Sequence, residues 1–329
     1  MSRLPSTRRS IPSQRPGLRL GSWLRPRAVG AAVLALLGGC STTAVLDRLV
    51  PTHTYLNLPS ASYGPDARQQ IDIYLPLAER RQHPTPMVVF FYGGSWSSGD
   101  RADYRFVGEA LASRGIVTLV ADYRLSPQVR YPVFLQDSAK AVKWAFDHAR
   151  GLGADPRRIY LVGHSAGGYN AAMLALDARW LEAEGLLPAQ LAGWAGLAGA
   201  YNFLPIGVPE VQVAFNWPDT AADTQPIYHA RSQAGFPPVL LLAARTDLSV
   251  NPKRNTDALA ERLQAQGVPL QLKYYDKLSH STLVGALATP LNFLAPVAHD
   301  LVSFVLAGPL LERPTNTPTK PDAPGLAAH

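Results

Sequence analysis

Only one of the 329 residues is a cysteine, Cys40, so no disulfide can form within the chain and stability must come from a packed core. A membrane-length apolar run is missing from the leader as well: the uncharged stretch "AVGAAVLALLGG", Ala28 to Gly39, has twelve residues, short of the roughly 20 that span a bilayer. Residues 1–39 contain no acidic residue and no lysine, but seven arginines (Arg3, Arg8, Arg9, Arg15, Arg19, Arg25 and Arg27). Those seven account for the whole formal charge of +7, since the rest of the chain holds 24 basic and 24 acidic residues. Composition therefore gives no basic body for nucleic acid, and no nucleic-acid partner is expected. Cofactor signatures are absent too. "GGSWSSGD" lacks the lysine of a phosphate loop, "GLGADP" precedes a strand rather than following one, and no metal-ligand spacing stands out. No cofactor and no metal are expected, and no internal repeat divides the chain.

What the leader does have is the sequence of parts of an export signal: an arginine-rich start, a short apolar region and a small-residue junction. "LLGGC" resembles the lipobox of bacterial lipoproteins, with Leu37 and Gly39 ahead of Cys40. The resemblance implies a signal peptide over 1–39, lipid attachment at Cys40, a tether over 40–53 and a membrane partner. It implies a protein exported and anchored at the cell envelope, with the outer membrane preferred because Ser41 is not aspartate. An ordinary secretory signal that happens to contain a cysteine is the alternative. At the other end, residues 309–329 are rich in proline and polar residues, and a disordered tail is expected.

Between these ends, strand-like and helix-like segments alternate. Strands are expected at 54–58, 70–75, 87–92, 116–121, 159–163, 191–197, 238–244 and 270–275; several are continuous apolar runs, as in parallel strands covered on both faces. Helix patterns fall between them, in "DYRFVGEALASRG", "QDSAKAVKWAFDHAR", "YNAAMLALDAR" and "NPKRNTDALAERLQAQG". The pattern predicts an α/β fold over 54–308, with an initial antiparallel pair, a mostly parallel eight-stranded sheet and helices on both faces. The interval 198–235, aromatic and rich in proline and glycine, reads as a short lid insertion over the sheet's edge. Trp194, Tyr201, Phe203, Phe215, Trp217 and Phe236 are grouped with it, either packing it onto the sheet or suiting an apolar substrate group.

The chemistry is carried by "IYLVGHSAGGYN". Gly163-His164-Ser165-Ala166-Gly167 fits G-x-S-x-G and lies between an expected strand and an expected helix, the context in which a sharp turn lifts a serine hydroxyl above a sheet. Ser165 is the candidate nucleophile, and the N–H of Ala166 is a candidate oxyanion donor. His164 fills the variable position and reads as structural or rim. A serine hydroxyl needs a base, and the base an orienting acid. In this arrangement they follow in the order serine, acid, histidine. Asp247 follows the run "PPVLLLAART", 82 residues on, and His280 follows the next strand after 33 more. Asp257 and Asp276 are competing acids, and His299 is a rival base in an expected helix. His53, His83, His148 and His229 fall in tether, loop, helix or insertion and carry no expected chemistry.

These motifs together identify the chain as similar to the α/β-hydrolases, nearest the hormone-sensitive-lipase-like esterases and the HGGxW branch that includes kynurenine formamidases and feruloyl-esterase-like enzymes. The resemblance spans about 54–306 and rests on "YGGSW", "ADYRLSP" followed by "YP", "GHSAGG", "ARTDLSV" and "LSH". It implies the α/β-hydrolase fold and hydrolysis of small or medium apolar esters. It also implies oxyanion donors at Gly94 and Ser95, with Gly93 permitting the approach and Trp96 packing the loop. Asp122, Tyr123 and Arg124 would brace that loop, whereas the residues alone suggest an Asp/Arg pair at a strand end. Tyr92 departs from the family, which has histidine there; its hydroxyl could serve as the brace. An N-formyl amide substrate and a non-catalytic binding protein on the same scaffold are the alternatives.

Overall fold

The computed structural model describes residue 46 and residues 49–81, 83–231 and 235–308. Cys40, the expected signal peptide, most of the tether and the tail 309–329 lie outside the described residues. Among the described residues, eight strands form one sheet: β1 Tyr55–Ser62, β2 Gln70–Pro76, β3 Met87–Phe91, β4 Val117–Ala121, β5 Ile159–His164, β6 Gly193–Leu197, β7 Val239–Ala244 and β8 Leu270–Tyr275. Their order is β1-β2-β4-β3-β5-β6-β7-β8. β2 runs antiparallel to both β1 and β4, and every other neighbouring pair is parallel.

The apolar runs lie where both sheet faces are covered. β3, "MVVFF", is buried along its whole length, as are β4 to β7. At the edge, β8 exposes Gln271 and Lys273 and half-buries Leu270, Leu272 and Tyr274, the alternation expected when one face meets water. The helices are α1 Arg105–Ala112, α2 Val133–His148, α3 Ala166–Leu176, α4 Ala178–Glu182, α5 Pro209–Phe215, α6 Pro226–His229, α7 Ala258–Ala265, α8 His280–Gly285 and α9 Val297–Ala307. All eleven residues of α3 are buried, because it packs on β5 and β6 with α2 and α6 against its other sides. A helix enclosed all round cannot show an amphipathic stripe, and "AGGYNAAMLAL" has none. Among the described residues, no helix is long and apolar enough to cross a membrane.

The interval 198–235 adds no strand among its described residues. It joins two interior strands, β6 and β7, and packs on residues that follow β3 and β5. Phe215 of α5 packs edge-on against Trp96, just after β3, with ring centroids 4.7 Å apart, and against Tyr169 of α3 at 5.5 Å. Hydrogen bonds hold it there. Asn255 Oδ1 accepts the N–H groups of Tyr201 and Asn202, both at 2.8 Å, and Gln225 Oε1 accepts that of Phe203 at 2.8 Å. Tyr169 donates its hydroxyl to the Thr224 carbonyl at 2.8 Å. Trp194, grouped above with the insertion, belongs to β6, and it is fully buried, as is Tyr201. Phe203, Trp217 and Phe236 remain only partly buried.

Candidate active site

β5 ends at His164 and α3 begins at Ala166, so Ser165 alone makes the turn between them. Its φ of 54° and ψ of −118° are unusual for a residue with a side chain, a conformation that costs on the order of 1–3 kcal/mol. The surroundings hold it in place: Ser165 donates its N–H to the Leu197 carbonyl of β6 at 2.9 Å and accepts from Tyr169 N–H at 3.1 Å. The flanking glycines are needed for contact rather than for flexibility. A Cβ on Gly163 would overlap the Gly167 carbonyl, and one on Gly167 would overlap the carbonyl of Phe91 at the end of β3. Only this spacing lets the chain reverse so close to β3. Ser165 is half-buried and therefore reachable from solvent.

Asp247 leaves the end of β7 and is 5% exposed. One carboxylate oxygen accepts the N–H groups of Ser249 and Val250 at 2.8 and 2.9 Å; the other meets His280 Nδ1 at 2.7 Å. Burial alone would raise the Asp247 pKa, but the hydrogen bonds from His280, Val250 and Ser249 outweigh it and hold the carboxyl below its ordinary value. His280 opens α8 behind the capping residue Ser279, whose N–H donates to Thr282 Oγ1 at 2.6 Å. His280 is brought to the turn at Ser165: the rings of His164 and His280 lie 4.8 Å apart, and His164 Nε2 donates to the His280 carbonyl at 3.1 Å. The competing acids are engaged elsewhere. Asp276 is exposed and paired with Arg245, and Asp257 accepts from the Tyr274 hydroxyl. His299 is exposed on α9.

The loop after β3 packs directly against this turn. A Cβ on Gly93 would stand 2.9 Å from Ser165 Cβ and 3.0 Å from His164 Nδ1, so only glycine leaves the serine undisturbed. Gly94, with φ 128°, folds the loop tightly, its carbonyl accepting from the N–H groups of Ser97 and Ser98 at 3.0 Å each. Among the described residues, the N–H groups of Gly94, Ser95 and Ala166 meet no protein acceptor. Trp96 is 2% exposed and donates Nε1–H to Asn170 Oδ1 at 3.0 Å.

Tyr92 is fully buried at the root of this loop. Its ring stacks between Tyr104 and Tyr123, at 5.4 and 5.0 Å. Its hydroxyl donates to Asp122 Oδ1 at 2.6 Å and accepts from Arg68 Nη2 at 2.6 Å. Burial pushes the phenol pKa far up, so the hydroxyl keeps its proton and acts as donor. Tyr123 adds a hydrogen bond to the Tyr92 carbonyl at 2.8 Å. The Asp/Arg pair expected at this strand end does not form. Asp122 is instead held by Arg68 and Arg101, while Arg124 grips Asp137 of α2 through two bonds of 2.8 Å. Asp137 is itself fully buried and requires a cation of its own. Sequence reasoning missed Arg68 and Arg101, which lie on either side of β3 in the chain. The one available signal was that a buried aspartate needs cationic partners.

The comparisons with known proteins agree with this geometry at the level of the family. The profile of a family described as an alpha/beta hydrolase fold matches residues 88–284, more than half of the chain. The chain is 27% identical to an isoprenylcysteine alpha-carbonyl methylesterase of Arabidopsis thaliana, over 68% of this chain but only 56% of that protein, so it spans little more than half of that relative's length. It is 31% identical to a carboxylesterase of Mycobacterium tuberculosis, over 62% of this chain and 69% of that one. Among solved structures, esterase B of Lactobacillus rhamnosis superposes with a TM-score of 0.68 at 22% identity, covering 85% of this chain and 96% of that one, a likeness of fold alone. A buried parallel sheet, a serine on a sharp strand-to-helix turn and a profile match across both therefore lead to one assignment: this chain belongs to the alpha/beta hydrolase fold family.

Proposed function

We propose that the chain is a carboxylesterase-type serine hydrolase working through Ser165, His280 and Asp247. The observation that carries this reading is the 2.7 Å contact between His280 Nδ1 and Asp247 beside the strained turn at Ser165. His280 Nε2 takes the proton of Ser165 Oγ as that oxygen attacks the ester carbonyl carbon, and Asp247 stabilises the imidazolium that forms. The oxyanion is received by the N–H groups of Ala166, Gly94 and Ser95. Collapse of the tetrahedral intermediate breaks the bond to the alcohol oxygen, which His280 protonates, leaving an acyl-Ser165. Water, deprotonated by His280, then attacks the acyl carbonyl; the acid leaves and Ser165 regains its proton.

Esters of small or medium apolar acyl or aryl groups are favoured by the aromatic insertion, whose partly buried Phe203 lies 5.6 Å from Trp96 of the loop after β3. Relatives named as methylesterase and carboxylesterase point the same way. "YGGSW" favours the HGGxW branch, with Tyr92 in the place of the histidine. "LLGGC" favours export and lipid anchoring through Cys40; incorporation of a palmitate analogue that is lost in Cys40→Ala tests this part separately.

Turnover of p-nitrophenyl esters of increasing acyl length, run beside N-formylkynurenine, tests the activity. Ester turnover is expected to exceed formamide turnover, and Ser165→Ala is expected to lower it by at least about 1,000-fold. Unchanged turnover in Ser165→Ala, with no labelling of the wild type by a fluorophosphonate, would leave a binding protein on a hydrolase scaffold.

A further inference from the structure

We infer that His164 is a positioning residue for the base: its ring holds the main chain of His280 and so sets where the imidazole of His280 sits relative to Ser165. The inference rests on the esterase reading and goes beyond it, because that mechanism gives the variable residue of G-x-S-x-G no task.

The chemistry of the contact settles its direction. The partner of His164 Nε2 is the His280 carbonyl oxygen, at 3.1 Å, which can only accept, so Nε2 carries the proton and donates. Nδ1 on the other side is buried and without a partner, and it faces Gly93. Burial, followed by the neighbouring His280, lowers the His164 pKa to about 3, so the ring stays neutral, with Nδ1 bare. A buried acceptor with no donor is a cost. The ring retains the cost because its other nitrogen makes the only side-chain hydrogen bond between the nucleophile's turn and the backbone of the base among the described residues.

His280 is then held at three points: at Nδ1 by Asp247, at its carbonyl by His164, and ahead of it by the Ser279 cap. Asp247 sets the rotation of the ring but not the height of its Cα above Ser165. That height depends on the main chain, and β5 and α8 are 116 residues apart in sequence. The hydrogen bond from His164, the residue next to the nucleophile, spans that separation directly.

Three variants separate the bond from the volume of the ring. In His164→Gln the amide nitrogen reaches about as far as Nε2; in His164→Asn it reaches only as far as Nδ1; His164→Phe keeps the ring and has no donor. Turnover of a p-nitrophenyl ester at a pH where wild type is fully active is expected to stay within about threefold of wild type in His164→Gln. It should fall roughly 10- to 100-fold in kcat, with KM changed less than about twofold, in both His164→Asn and His164→Phe. Equal activity in all three, whether high or low, overturns the inference; so does a loss expressed in KM alone. Ser165→Ala run in parallel keeps the two readings apart. If it remains active the esterase reading fails, whereas its inactivity beside an unaffected His164→Phe removes only the positioning role. If His164→Phe does not fold, the contrast between Gln and Asn still decides.

Discussion

Tyr92 illustrates how much a single atom can do at the root of the loop after β3. Its hydroxyl donates to Asp122 and accepts from Arg68, which also contact each other directly at 3.3 Å, so a phenylalanine would remove two hydrogen bonds but leave the ion pair. A hydrogen bond to a charged group is worth about 1.5–3 kcal/mol, but none of this network touches the reacting atoms. Tyr92→Phe is therefore expected to lower the melting temperature by several degrees and kcat by less than about tenfold. Gly94→Ala acts on the loop itself: its φ of 128° and the Ser98 carbonyl both reject a Cβ. A fall in kcat of roughly 100-fold or more is expected from displaced oxyanion donors, and equal, negligible effects from both variants would refute their assignment. Asp247→Asn presents an amide where His280 Nδ1 now meets a carboxylate oxygen. Steady-state kinetics should show kcat falling by about 10,000-fold through the wrong tautomer, with KM little changed.

At the scale of elements, the insertion between β6 and β7 behaves as a wall fastened to its neighbours. Asn255, in the segment leading into α7, accepts two N–H groups through one oxygen and is 4% exposed. Removing that oxygen strands the buried N–H of Tyr201, at a cost of about 1–3 kcal/mol, and the half-buried N–H of Asn202. Asn255→Ala is expected to lower the melting temperature by several degrees and to raise KM for aryl esters more than it lowers kcat. Asn255→Asp, which retains an acceptor, should recover most of the loss. A kcat defect with unchanged KM would place the insertion in the chemistry rather than in the wall of the site.

For the whole molecule, the buried histidine makes stability depend on pH. An unfolded His164 takes up a proton below its ordinary value of 6.5, whereas the folded ring resists until about 3. The unfolded state therefore binds more protons across that window, and stability falls as pH drops from about 6.5 towards 3. Asp247, with its folded pKa held below the ordinary carboxyl value of 3.8, adds to the loss at the acid end of the same range. Thermal unfolding followed from pH 7 to pH 4 should show a falling melting temperature, with a shallower slope in His164→Gln. Equal slopes in the two proteins would show that His164 is not the group responsible.

The sequence by itself determined the parts whose signal is local. The buried strands read as apolar runs because two covered faces demand them, and the turn at Ser165 reads as G-x-S-x-G because two glycines must fit within five residues. Tertiary structure alone decided what meets across the sheet. Asp247 and Asp276 are both carboxylates just past strand ends and Asp257 lies in a helical segment between them, and only the placement of β7 beside β8 sets Asp247 against His280. Arg68 and Arg101 reach Asp122 from 54 and 21 residues away, and His164 reaches the His280 carbonyl from 116. The insertion joins β6 and β7, near one side of the sheet, and only tertiary packing brings its Phe215 to Trp96 after β3 and Tyr169 after β5. Periodicity records which face of an element is buried, but not which element buries it; that depends on strand order, and strand order is a property of the whole chain.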